Sequence, residues 1–179
     1  EIAQMGISRV FQTPEIFADL TVLANVLIPC FAKRDGSFRM HALEPVRHER
    51  EIGHQAEAML DEVNMLSKSN VVASSLSRGD KRRLEMAMCL VQEPRLMLLD
   101  EPTAGMARAD TENTIALLKD IRVKRGITMA IIEHDMQVVF SLADRITVMA
   151  QGTPLVEGSP DQIKVDPKVR EAYLGETQI

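Results

Sequence analysis

Tryptophan is absent from this 179-residue sequence, tyrosine occurs once and phenylalanine five times. Large aromatic anchors therefore contribute little to its core. Eleven methionines stand in for them and make a pliable apolar interior. Cysteine is scarce as well: Cys30 and Cys89 lie far apart, with no metal-ligand spacing. That excludes a disulfide scaffold and a cysteine-held metal, and it reads as two free thiols in a reducing compartment. No apolar run approaches the roughly 20 residues a membrane-spanning helix needs. Basic charge is in deficit, 21 Lys and Arg against 26 Asp and Glu, for a net charge of −5. A general binder of nucleic acid or anionic membranes is thereby disfavoured. The sequence opens at Glu1, no charged-then-apolar leader is legible, and a cytoplasmic location is expected.

What is present is a chain 45% hydrophobic, enough for one core or for a domain with a lobe attached. Two styles of sequence meet near residue 94. In residues 1–93 helical periods dominate. From Pro45, which suits a first helical turn, Ile52, Ala56, Met59, Leu60, Val63 and Leu66 recur at spacings of three and four. A second helix is expected from about Asp80 to Val91, with Leu84, Ala87, Met88 and Val91 inward. In residues 94–179 the pattern changes. "LMLLD" (96–100) is a short buried strand of the parallel kind, and 110–124 is a helix closed by Gly126. "TMAIIEH" and "RITVMA" are further strands, separated by a helix with Asp135 near its N-cap; "TPLVEG" turns back as a hairpin. "SPDQI" and "DPKVREAYL" each open with a cap residue followed by proline, so two short helices finish the chain. The expected class is α/β, with a mostly parallel sheet and a helical lobe.

Asp100 and Glu101 close the first of those strands, and Glu133 and His134 close the next. One helix joins them, so parallel neighbours would bring both C-terminal ends to the same side, where open α/β sheets bind ligands. An adjacent pair of carboxylates at a core's rim normally holds something positive, and a divalent cation or a polarised water would both qualify. Aspartate for a metal, glutamate for a water and histidine for a moving phosphate would make a phosphoryl-transfer set. A second feature, "LSRGDKRRLE" (76–85), admits two readings. Ser77 and Gly79 precede a helix whose amides favour a phosphate; equally, Ser77 or Asp80 caps an ordinary helix, with Lys81, Arg82 and Arg83 solvated.

Quoted in order, these stretches resemble an ATP-binding-cassette (ABC) ATPase, with P-loop NTPase-type architecture and a helical signature subdomain. "VFQTP" resembles the Q-loop, "LSRGDKRRLE" the signature motif, "LMLLDEP" the Walker B strand, "TAGMA" the D-loop and "IIEHD" the switch histidine. Within the superfamily, "GISRVFQTPEIFADLTVLANV", "DEPTAGM" and "REAYLGE" are most similar to ATPase subunits of branched-chain amino-acid importers and the related urea importers.

The resemblance implies roles. Gln12 senses the γ-phosphate and Mg²⁺, Asp100 holds Mg²⁺, Glu101 orients or deprotonates the attacking water, and His134 steadies the γ-phosphate. Ser77, Gly79 and Arg78 lie where the signature closes over ATP on a second ATPase subunit, so a homo- or heterodimer is implied. The other implied partners are transmembrane permease subunits, with the chain peripheral on the inner face of the cell membrane and no nucleic acid involved. Phe11, Ile16, Phe17 and Leu20 are either the groove that receives the permease or plain core residues.

Departures are specific. None of the nine glycines begins a G-x-x-x-x-G-K-[ST] loop, so the phosphate cradle is missing from these 179 residues. The chain reads as a family member lacking its Walker A part, and alone it is expected neither to bind ATP tightly nor to hydrolyse it. Arg78 replaces a signature glycine, Asp80 replaces a glutamine, and Ala107 stands where many D-loops carry aspartate. The function expected is that of an importer ATPase for branched-chain amino acids, urea or a similar small solute. Two alternatives stand beside it: a truncated, non-catalytic interaction module, and a soluble ABC ATPase unconnected with transport.

Overall fold

The computed structural model describes residues 5–35 and 47–174 and divides into two compact units, Glu1–Glu133 and His134–Ile179. The first unit holds a three-stranded parallel sheet in the order β1-β2-β3: β1 (Ile7–Val10), β2 (Leu96–Asp100) and β3 (Thr128–Ile132). Strands β2 and β3 pair as the sequence leads one to expect, Leu96 opposite Thr128 through Asp100 opposite Ile132. Strand β1 is not legible in the sequence analysis, which reads the first 93 residues as helical. Its four residues are too few to display an alternation, and its place is fixed by pairing with β2 some 90 positions away, Ile7 opposite Leu96.

Four helices belong to the same unit, α1 (Val22–Asp35), α2 (Arg47–Glu62), α3 (Arg78–Leu90) and α4 (Arg108–Arg125), of which α3 packs on β1 and also meets the other three. Of the expected apolar period, Ile52, Ala56, Met59, Leu60 and Val63 are buried, whereas Leu66 lies beyond the end of α2 and is 40% exposed; Pro45 lies outside the described residues. Helix α3 starts at Ser77, whose hydroxyl accepts the Asp80 amide, so Ser77 is the cap and Asp80 is not. Helix α4 stops at Gly126, left-handed at φ 63°, a conformation open to glycine without steric cost. Val10, Leu84, Leu90, Met97, Leu99, Leu118 and Ile121 are buried in this unit. Full burial of such a side chain is worth about 1.5–3 kcal/mol.

Chain continuity through His134 leads into α5 (Met136–Leu142), the hairpin β4 (Ile146–Ala150) and β5 (Thr153–Gly158), then α6 (Pro160–Val165) and α7 (Pro167–Val169). Asp135, Ser159 and Asp166 cap the three helices as their sequence contexts foretell, Ser159 through a reciprocal capping box with Gln162. Strands β4 and β5 are antiparallel, so the parallel sheet belongs wholly to the first unit. Ile146, Val148, Ile163 and Val169 make the small core of the second unit. Among the described residues no helix is long and apolar enough to cross a membrane.

Candidate functional site

The parallel pairing of β1, β2 and β3 sets the C-terminal ends of three strands side by side. Gln12 lies two residues beyond β1, and Asp100 and Glu101 lie at and just past the end of β2. Gln12 Nε2 donates to Glu101 Oε2 at 2.6 Å, which joins two residues that sequence analysis placed in one site. Because the amide nitrogen is engaged there, the Gln12 carbonyl oxygen remains the acceptor end of that side chain. Asp100 Oδ2 accepts from Arg9 Nη2 at 2.9 Å, a pair whose members are half and about one-third exposed. Arg9 also lies over the Phe11 ring, 4.6 Å from its centroid.

Glu101 occupies the left-handed region at φ 43°, uncommon for a residue with a β-carbon and of order 1–3 kcal/mol in cost. Its amide donates to Ile132 O at 2.9 Å, and its carbonyl accepts from Ala104 N at 3.1 Å. The turn that follows is fastened by a residue to which sequence reasoning gave no role. Glu133 Oε1 accepts from both the amide and the hydroxyl of Thr103, at 3.1 and 2.5 Å. The signal for it in the sequence is a carboxylate next to His134, but the partner of that carboxylate lies 30 positions back. His134 itself is exposed and opens the second unit.

The signature residues sit at the start of α3. Ser77 is exposed, and its hydroxyl lies 3.0 Å from Asp80 Oδ2 as well as accepting the Asp80 amide. Asp80 also receives Lys68 Nζ at 2.5 Å. Burial is the largest single influence on the Asp80 carboxyl and pushes it up, but Lys68, Ser77 and Arg83 together hold it below the usual range. Gly79 is buried; a β-carbon there would meet Asp110 of α4 at 3.2 Å. Arg78 turns toward the D-loop, its Nη1 at 3.5 and 3.4 Å from the carbonyl oxygens of Ala104 and Gly105. Gly105 is left-handed at φ 66°, and a β-carbon on it would collide with that guanidinium. Ala107 is the N-cap of α4 and supplies no side-chain cap.

The basic run 81–83 is not uniformly solvated. Arg82 and Glu85 are buried, with side chains 2% and 4% exposed, and pair at 2.7 Å. Arg82 donates to the carbonyl oxygens of Phe11 and Gln12, the latter at 2.7 Å. Glu85 Oε1 accepts the amides of Phe11 and Glu15 at 3.1 and 3.3 Å. Burial raises the Glu85 carboxyl above the usual range against the pull of those amides and of Arg82. The four groove candidates divide: Phe11, Phe17 and Leu20 are 41%, 48% and 38% exposed, which removes them from the core, whereas Ile16 is half-buried. Buried Asn25 holds the Phe17 backbone, accepting its amide at 2.8 Å and donating to its carbonyl at 3.0 Å.

In donor chemistry, the Asp100 carboxylate and the Gln12 carbonyl suit Mg²⁺, a hard cation that takes one or two protein oxygens and completes its shell with water and phosphate. Among the described residues no three His, Cys, Asp or Glu side chains form a cage that would hold a metal by themselves. No glycine–lysine loop of the kind that cradles a triphosphate lies within the 179 residues.

The family model described as ABC transporter matches residues 1–104, and the one described as branched-chain amino acid ATP-binding cassette transporter matches residues 154–178. The chain is 39% identical over 181 residues to the high-affinity branched-chain amino acid transport ATP-binding protein BraF of Pseudomonas aeruginosa, spanning 98% of this chain and 70% of BraF. Identity to the protein of the same description, LivG, from Escherichia coli K12 is 39% over 179 residues, with the same two coverages. Among solved structures, the ADP conformation of MJ1267, an ATP-binding cassette of an ABC transporter, matches with a TM-score of 0.79 at 28% identity, over 98% of this chain and 70% of that one.

Proposed function

The chain belongs to the ABC transporter ATP-binding family, in its branched-chain amino-acid importer branch, and from that premise we propose that it is the ATPase component coupling nucleotide turnover to import of a branched-chain amino acid or a similar small solute such as urea. One observation carries the proposal: Gln12 and Glu101 meet at 2.6 Å on adjacent strand ends, with Asp100 beside them. When bound, MgATP supplies the phosphoryl group and the cation. Gln12 fixes the Glu101 carboxylate by donation and keeps its own carbonyl oxygen for the metal. Glu101 orients or deprotonates a water. Asp100, which is paired with Arg9, would hold the cation, and His134 would steady the γ-phosphate as the resemblance implies.

Ser77, Gly79 and Arg78 belong to the face that closes on a second ATPase subunit. A dimeric post-hydrolysis state with ADP and Pi is described for a similar cassette, MJ0796, at a TM-score of 0.69 and 26% identity. Residues 1–93 include the lobe that meets a permease at the inner membrane face, through exposed Phe11, Phe17 and Leu20, and residues 94–179 carry the Walker B, D-loop and histidine elements. In proteoliposomes holding the assembled importer, Glu101→Gln is expected to lower ATP-driven leucine uptake by about 10²-fold or more while nucleotide still binds. Unchanged uptake overturns the role of Glu101, and uptake of neither branched-chain amino acids nor urea overturns the substrate class.

The missing phosphate cradle favours a second reading for the 179-residue polypeptide by itself: a docking module without turnover. Calorimetric titration with MgATP checks it. No saturable binding is expected, and micromolar affinity refutes it.

A further inference from the structure

We propose that Arg82 and Glu85 are positioning residues: a buried clasp on α3 that makes helix and Gln12 loop one mechanical unit and thereby sets the Gln12–Glu101 contact. The consequence for catalysis rests on the function proposed above; the clasp does not. Between the end of β1 and the turn at 18–20 the chain makes no regular structure, so its backbone groups must find partners elsewhere. Two charged side chains from one turn of α3 supply them. Arg82 takes the carbonyl oxygens of residues 11 and 12 while Glu85 takes the amides of residues 11 and 15, so the loop is gripped before, at and after Gln12.

The chemistry of the pair explains why it grips. A carboxylate and a guanidinium removed from water need each other and further hydrogen bonds, and here the loop backbone provides those. Arg82 Nε is buried without a partner, so its stabilisation depends on the two terminal nitrogens that touch the loop and Glu85. Releasing the loop would leave an ion pair buried with its remaining valences empty. Loop and helix therefore separate only at high cost, and a displacement of α3 carries the Gln12 backbone with it. The route to the reaction centre is short: the Gln12 carbonyl is 2.7 Å from Arg82 Nη2, and its side-chain amide is 2.6 Å from Glu101.

The test uses the 179-residue chain and no nucleotide, so its failure is separable from failure of the ATPase reading. In the wild type, hydrogen exchange followed by NMR should give the Phe11 and Glu15 amides the protection of the α3 amides around Leu84. Unprotected exchange at both positions overturns the clasp without any variant. In Glu85→Ala, exchange at those two amides should accelerate at least tenfold, and the Gln12 side-chain amide resonances should move, while Leu99 and Leu118 stay protected. Glu85→Gln retains an acceptor oxygen and should restore part of the protection. If the Gln12 resonances stay in place in Glu85→Ala and in Arg82→Met with the core intact, the pair is merely structural and the proposal falls.

Discussion

Helix α3 reaches two loops, and it holds them in opposite ways. Toward the loop at 11–15 it sends Arg82 and Glu85, both buried and joined to four backbone groups. Toward the turn at 101–107 it sends Arg78, an exposed side chain whose contacts with Ala104 and Gly105 lie at the outer limit of hydrogen bonding. That turn has its own fastening, Glu133 on Thr103, and its own strain at Glu101. One loop is welded to the helix and the other is laid against it. The carboxylate that meets Gln12 thus stands between a rigid support and a compliant one, an arrangement suited to a residue whose partner must stay fixed while its own backbone adjusts.

The sharpest way to break that contrast is Arg82→Ala, which strands a buried carboxylate. Destabilisation of about 3–5 kcal/mol is expected from chemical denaturation, whereas Arg78→Ala should stay within about 0.5 kcal/mol. Equal costs for the two would erase the distinction. Next in size is Glu133→Ala, which removes a charged acceptor from the Thr103 amide and hydroxyl. A loss of about 1.5–3 kcal/mol is expected, and Glu133→Gln should recover part of it. Ala107→Asp works in the other direction: it gives α4 the side-chain cap it lacks and should stabilise by about 1 kcal/mol, visible as a higher thermal midpoint.

The gentlest probe is pH. The Asp80 carboxyl is held low, so its contribution is complete above the usual aspartate value and is lost as pH falls through its folded value. The Glu85 carboxyl is raised, so its ionised form is penalised at neutrality. Stability attributable to it should rise as pH falls from its folded value toward the ordinary glutamate range. Urea midpoints measured from pH 7 downward should lose the acid-side decline in Asp80→Asn and the intervening gain in Glu85→Gln. Matching profiles for both variants would contradict the opposed environments of the two carboxyls.

Much of this was legible. Runs such as "LMLLD" and "TMAII" carry their strand identity in composition, and Ser77, Asp135, Ser159 and Asp166 announce helix starts by position. These are local signals, complete within a few residues. Strand β1 and helix α1 are not legible as elements, the first because four residues show no period, the second because Pro29 lies inside it, where a helix is expected to break, and its apolar residues form no single stripe. Arg82 looked solvated because a basic run normally is. Only the fold reveals that its neighbours are backbone groups some 70 positions away. Glu133 is illegible for the same reason, because Thr103 lies 30 positions away.

By itself the sequence determined which chemical groups these 179 residues can offer to the proposed site, and that no glycine–lysine loop lies within them, since both are properties of residue type and local order. The tertiary structure alone decided which charges are buried, that Gln12 touches Glu101, and that Arg78 turns to the D-loop backbone. Those outcomes depend on burial and on pairing between residues distant along the chain, where the environment of a side chain is made by elements it cannot see in its own stretch of sequence.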